Sequence, residues 1–147
     1  MTTGDHELDA PPLEAPTVLI VEDEAIVALA LRRQLENAGL HVAGMASSGE
    51  DAIALARRER PNVVLVDVRL RGAMDGITAG EELYVCEDIP VVYVSAYSDR
   101  ATLLRATASG AYGYLTKPYS EDILVATLIM TIEKHRELVR LREVGPV

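Results

Sequence analysis

The sequence predicts one doubly wound α/β domain with a five-stranded parallel sheet, on three observations. From Thr17 onward, short runs of β-branched and aliphatic residues alternate with stretches of helical periodicity, the pattern of successive βα units. Four apolar runs stop abruptly on polar residues: Val18-Leu19-Ile20-Val21 on Glu22-Asp23, Val63-Val64-Leu65-Val66 on Asp67, Val91-Val92-Tyr93-Val94 on Ser95, and Tyr114-Leu115-Thr116 on Lys117. The run before Asp67 is unbroken Val and Leu, as expected of a strand buried on both faces.

Residues Met1 to Pro16 carry Asp5, Glu7, Asp9 and Glu14 and are interrupted by Pro11, Pro12 and Pro16, so 1–16 is expected to be a disordered acidic leader. The first strand is Thr17 to Val21. The first helix spans Glu24 to Ala38, with Val27, Leu31 and Leu35 in one i, i+4 row and Gly39 placed to end it. A second strand covers Leu40 to Ala46. Ser47 and Glu50 have capping-box spacing for the second helix, which runs to Glu59 before Pro61. The third strand is Asn62 to Val66. A loop with Gly72 and Gly76 leads to a third helix, Ile77 to Val85, weakened by Gly80.

Ile89 to Val94 forms the fourth strand, and Ser98 can cap a fourth helix that Gly110 ends. The fifth strand is Ala111 to Thr116. Ser120 caps the last helix, with Glu121 and Asp122 in its first turn, where they favour the positive end of the dipole. That helix extends to about Glu143, giving a domain of 17–144 and a frayed tail of 145–147.

A formal net charge of −9 argues against a general nucleic-acid binder, since no basic stripe can neutralise a row of phosphates. Cys86 is alone, so no intramolecular disulfide and no cysteine-based zinc site is expected. The leader lacks the apolar core of a secretory signal, and the run Ile123 to Ile132 is shorter than the ~20 residues of a membrane span. A cytoplasmic protein is expected.

If the strand order is the flavodoxin-like 2-1-3-4-5, the first and third strands flank the topological switch point, where ligands bind in open α/β sheets. Glu22, Asp23 and Asp67 then stand on either side of that crevice. Close carboxylates repel unless a cation intervenes, and magnesium suits a few protein oxygens with water or phosphate completing an octahedron. Singly, each residue has a plainer reading: a turn or cap for the acids and Ser95, a surface cation for Lys117. Their joint placement at four parallel strand ends favours a divalent cation and a phosphoryl group. Lys117 and Lys134 are moreover the only lysines.

The segments Val18 to Glu24, the strand into Asp67, Asp75-Gly76, Val91 to Ala96 and Lys117-Pro118, in this order, resemble the receiver domain of bacterial two-component response regulators. The similarity covers Thr17 to Ile132 and implies a stand-alone, single-domain receiver of the chemotaxis-regulator type. The resemblance implies that Asp67 accepts a phosphoryl group from a histidine kinase or histidine phosphotransfer protein. Asp23, Asp67 and the Arg69 backbone carbonyl would ligate Mg2+, with Glu22 acting directly or through water. Lys117 and Ser95 would bind phosphoryl oxygens, and Tyr114 would be the switch aromatic. A cis Lys117-Pro118 bond is implied too.

Glu22 stands where Asp is commoner, Ser95 where Thr is commoner, and the segment from Asp67 to Asp75-Gly76 is one residue longer than in chemotaxis-type receivers. Arg69 and Tyr97 would flank the phosphoryl group and shield it from water. The last helix has more apolar positions than one stripe needs, so an uncovered face is expected, serving a homodimer or kinase docking through the helix 4, strand 5 and helix 5 surface. The rivals are a pseudo-receiver that takes no phosphate and an aspartyl-phosphate phosphohydrolase. The latter wants an acid two residues after the nucleophile, where this chain has Arg69. The expected protein is therefore no enzyme beyond self-phosphorylation and self-dephosphorylation.

Overall fold

The computed structural model describes residues 15–96, 100–110 and 112–144. Five parallel strands, β1 (Thr17–Val21), β2 (His41–Ala46), β3 (Val63–Asp67), β4 (Val91–Ser95) and β5 (Gly113–Thr116), lie in the order 2-1-3-4-5. Helices α1 (Ala25–Asn37), α2 (Gly49–Glu59), α3 (Gly76–Glu87), α4 (Arg100–Ala108) and α5 (Glu121–Val144) alternate with them.

Alternate residues along each strand enter opposite cores. Leu19, Val21, Val64, Val66 and Tyr93 pack with Ile53 of α2 and with Ile77 and Leu83 of α3. On the other face, Val18, Ile20, Val63, Leu65 and Val92 meet Leu31 and Leu35 of α1 and Leu124 and Leu128 of α5. Both faces of β3 are therefore covered, which is why its run has no polar interruption. Each fully buried Val or Leu there contributes about 1.5–3 kcal/mol of transfer free energy.

The helix ends refine the sequence-based boundaries. Leu40 N–H donates to Leu35 O and Gly39 N–H to Glu36 O, closing α1 with Gly39 at φ +91°. The second helix is capped by Ser48, not Ser47: Ser48 Oγ accepts from Asp51 N–H at 3.1 Å. Both serines stand three residues before an acid, and the helix buries Ala52, Ile53 and Ala56 against the sheet. That helix ends on Arg60 in the left-handed region, one residue before Pro61.

The strand β3 includes Asp67 because pairing continues past Val66, with Asp67 opposite Val94 and Val68 N–H donating to Val94 O. β4 starts at Val91 instead of Ile89: Ile89 N–H closes α3 on Leu83 O, and Pro90 has no N–H to donate. Ser120 Oγ accepts from Ile123 N–H at 3.1 Å, as expected of the cap on α5. The expected cap on α4, Ser98, lies outside the described residues.

Helix α5 spans 24 residues and outlasts its contact with the sheet, which ends near Ile132. Farther along, His135 Nε2 lies 3.2 Å from Asp88 Oδ1, and Arg142 Nη2 donates to the same carboxylate at 3.0 and 3.3 Å. Ile123 and Met130 stand in solvent, so the uncovered apolar positions expected of this helix exist.

The third helix approaches β4 closely at Gly80, where a Cβ would run into the Tyr93 hydroxyl. Gly80 thus trades helix propensity for proximity. The fully buried Tyr93 hydroxyl lies 3.1 Å from Ile77 O and 2.9 Å from Ser109 Oγ, joining α3, β4 and the end of α4. Replacing Tyr93 by Phe should lower unfolding free energy by about 1–2 kcal/mol, since buried acceptors lose their partner. A urea midpoint and m-value equal to those of wild type would contradict that role.

Candidate functional site

Parallel strands in this order bring the carboxyl ends of β1, β3, β4 and β5 to one edge, and the polar residue that ends each apolar run comes with it. Glu22, just past β1, is 5% exposed despite its charge. Its Oε2 accepts from Glu24 N–H at 3.0 Å. Lys117 Nζ lies 3.6 Å from Asp67 Oδ2 and 4.0 Å from Glu22 Oε1. Burial pushes the Glu22 carboxyl up to about 7; the Glu24 N–H works against this, while the hydrogen bond and negative charge of Asp67 reinforce it, and Lys117 offsets only part. The same two acids, after burial, push the Tyr119 hydroxyl upward.

Carboxylate oxygens of Glu22, Asp23 and Glu24 lie within 4.8 Å of one another. Asp67 adjoins this group through Glu22, and its Oδ1 accepts from Arg69 N–H at 2.8 Å. The donor chemistry fits a hard divalent cation: every side-chain donor is a carboxylate oxygen, and the crowding that raises the Glu22 pKa is what a cation would relieve.

The β3–α3 loop is pressed against the site. A Cβ on Gly76 would collide with Asp67 O, so only glycine allows this approach. Asp75 Oδ1 caps α3 by accepting from Thr78 N–H at 2.8 Å, and Arg105 Nη2 bonds Oδ2 at 2.9 Å. Burial pushes the Asp75 carboxyl up, but the Thr78 and Arg105 bonds overcome it and hold the group below its ordinary value. Farther back in the loop, Arg71 N–H donates to Asp23 Oδ2 at 2.9 Å.

Ser95 is buried at the end of β4, and its carbonyl accepts from Lys117 N–H at 2.8 Å, fixing the lysine against the neighbouring strand. The Lys117-Pro118 bond is cis. Tyr114 packs its ring on the α2–α3 side core, and its hydroxyl is buried with no hydrogen-bond partner among the described residues. A cleft of about 110 Å³ between β5 and α4, bounded by Leu103, Ala106 and Thr107, opens beside it. Tyr97 lies outside the described residues.

Glu22, Asp23, Asp67, Arg69, Ser95 and Lys117 thus gather at one sheet edge, while Tyr114 sits on β5 three residues before the lysine. Sequence reasoning missed three neighbours. Glu24 is the third member of an acidic run, and its position at a helix start masks that in the sequence. Tyr119 and Arg71 gave no local signal, because what they face comes from distant strands.

The chain matches the family model described as "Response regulator receiver domain" over residues 18–129. It is 34% identical over 133 residues to the transcriptional regulatory protein PdtaR of Mycobacterium tuberculosis, an alignment covering 90% of this chain and 64% of that protein. With response regulator GacA of Pseudomonas aeruginosa the identity is 39% over 102 residues, 68% of this chain and 47% of that one. Among solved structures, the signal receiver domain of a modulated diguanylate cyclase from Desulfovibrio desulfuricans superposes with a TM-score of 0.78 at 38% identity, covering 83% of this chain and 97% of that chain. The receiver domain of the response regulator NarL from Mycobacterium tuberculosis gives 0.77 at 26% identity, over 82% and 98%. The chain therefore spans less than two thirds of the length of PdtaR.

The Glu22 pKa carries a stability prediction. Its ordinary value is 4.5 and its folded value about 7, so between those values the folded state holds a proton that the unfolded state has lost. Stability then falls as pH rises through that window. The loss in chelator-treated protein is at most about 3–4 kcal/mol, from ~1.4 kcal/mol per pH unit. Thermal melts between pH 5 and 8 should show a steeper fall for wild type than for Glu22→Gln, and saturating magnesium should flatten it. Parallel curves for the two proteins would refute this account.

Proposed function

The chain belongs to the response regulator receiver family, and from that membership we propose that it takes a phosphoryl group onto Asp67 and signals through protein–protein contact. The single observation that supports this most directly is the Asp67 carboxylate, at the end of β3, 3.6 Å from Lys117 Nζ and beside the acids of β1. An Asp67 oxygen attacks phosphorus of a phosphohistidine on a histidine kinase or phosphotransfer protein. The phosphorus–nitrogen bond breaks, the imidazole leaves, and an acyl phosphate remains on Asp67.

Lys117 neutralises charge on the transferring oxygens, and Ser95 offers its hydroxyl to one of them. Mg2+, held by Asp23, Asp67 and the Arg69 carbonyl with Glu22 direct or through water, would supply further charge neutralisation when bound. Glu24 extends that donor set. Arg69 is exposed beside Asp67 and, with Tyr97, would shield the acyl phosphate from water. On this reading the receiver unit runs from 17 to 144 and works in the cytoplasm; no described helix is long and apolar enough to cross a membrane.

Tyr114 carries the signal outward. Its hydroxyl is buried without a partner among the described residues, a state that costs free energy, and movement of Ser95 on the neighbouring strand would let the ring reposition. The face beyond it presents Leu103, Leu104, Ile123 and Met130, all more than 40% exposed. We assign to this α4–β5–α5 surface a homodimer contact or kinase docking, and to the protein either a relay or a phosphate-sink role. The phosphohydrolase alternative is disfavoured by Arg69, and the pseudo-receiver by the presence of acid, hydroxyl and lysine together.

Incubation with magnesium and a small acyl phosphate should add about 80 Da, one phosphoryl group, to the wild type and nothing to Asp67→Asn. Light scattering on the same samples should show a larger species only in the phosphorylated wild type. A mass gain that persists in Asp67→Asn would sink the phosphoacceptor assignment, and a monomer in both phosphorylation states would remove the dimer.

A further inference from the structure

We infer that Arg71 is a built-in counter-cation that competes with the divalent cation for Asp23. The inference rests on the reading of the acid cluster as a cation site. Two groups of Arg71 converge on one oxygen: its backbone N–H donates to Asp23 Oδ2 at 2.9 Å, and its guanidinium Nε lies 3.6 Å from the same atom. The two residues are 48 positions apart, so the contact closes the β3–α3 loop across the crevice onto the end of β1.

The chemistry assigns different roles to the two groups. An N–H bond to a carboxylate fixes its orientation without adding net charge. A guanidinium supplies a full positive charge and cannot lose it. Asp23 carries only 11% of its side-chain surface exposed, whereas Arg71 is 83% exposed, so the carboxylate is held while the cation is free to swing into water. Neutralisation of the crowded acids is thus divided: Lys117 faces Glu22 and Asp67, and Arg71 faces Asp23. A divalent ion arriving at Asp23 meets like charge and must expel the guanidinium. Gly72, at φ +106°, lets the chain turn immediately after Arg71, and the loop is otherwise anchored by buried Val68 and Leu70. The side chain can therefore leave without uprooting the loop.

The test is a magnesium titration by calorimetry on the full chain, wild type against Arg71→Ala, which keeps the backbone N–H and removes only the guanidinium. An exposed pair of this kind predicts binding about two- to fivefold tighter in Arg71→Ala. Damage to the loop would weaken binding, so tightening separates competition from a structural role. In parallel, the Arg71 Nε–H cross-peak in a nitrogen–proton spectrum, assigned with Arg71→Lys, should shift or broaden as magnesium saturates. Equal or weaker binding in Arg71→Ala, or a cross-peak that magnesium leaves in place, overturns the competition while the cation site stands. No magnesium binding by either protein overturns both, beginning with the site.

Discussion

The site depends on keeping Glu22 and Asp67 together at the ends of adjacent strands, where neither is well solvated. Two carboxylates in that position repel, and burial adds to the cost of charging Glu22. Lys117, at 3.6 and 4.0 Å, faces both. The arrangement is tolerable because the strands that carry the acids are anchored by full apolar burial on two faces, and those residues cannot shift to relieve the repulsion. Packing thus holds the charges in place, and crowded carboxylates of this kind are what a cation would relieve.

Close backbone approaches make that positioning specific. Gly76 lets the β3–α3 loop rest against the Asp67 carbonyl, and Gly80 lets α3 sit on the Tyr93 hydroxyl. Tyr93 in turn reaches Ser109 at the end of α4. The strand bearing Ser95 is therefore tied to the two helices that follow β3 and β4, and to β5 through the bond from Lys117 N–H to the Ser95 carbonyl. Ser95 is thus joined to β5, the strand that carries Tyr114.

The far end of α5 is organised by other forces. Past Ile132 the helix leaves the sheet, and Asp88 holds it through His135 and Arg142. Burial opposes the charge on Asp88, yet those two partners keep its carboxyl below the ordinary range. Asp88 itself adopts the left-handed conformation that ends α3, so one residue terminates a helix and tethers another. The tether is polar and exposed, and it fixes the helix without covering Ile123 or Met130.

The sequence by itself determined the strands, their two-sided burial and the polar residue at each strand end, because period and composition are local and the backbone follows them. Strand ends in parallel order must converge, which places Glu22, Asp23, Asp67, Ser95 and Lys117 at one edge, while Arg69 entered only through the family resemblance. The choice of Ser48 over Ser47 as a cap was not legible, because both serines stand three residues before an acid and local spacing does not choose between them. Gly80 read as a weak point in a helix, and only its contact with Tyr93 explains it. The pairing of Arg71 with Asp23, the nearness of Tyr119 to two acids and the Asp88 tether join residues far apart in the chain. No periodicity encodes such contacts; they exist because the sheet and its loops bring those atoms within a few ångströms of one another.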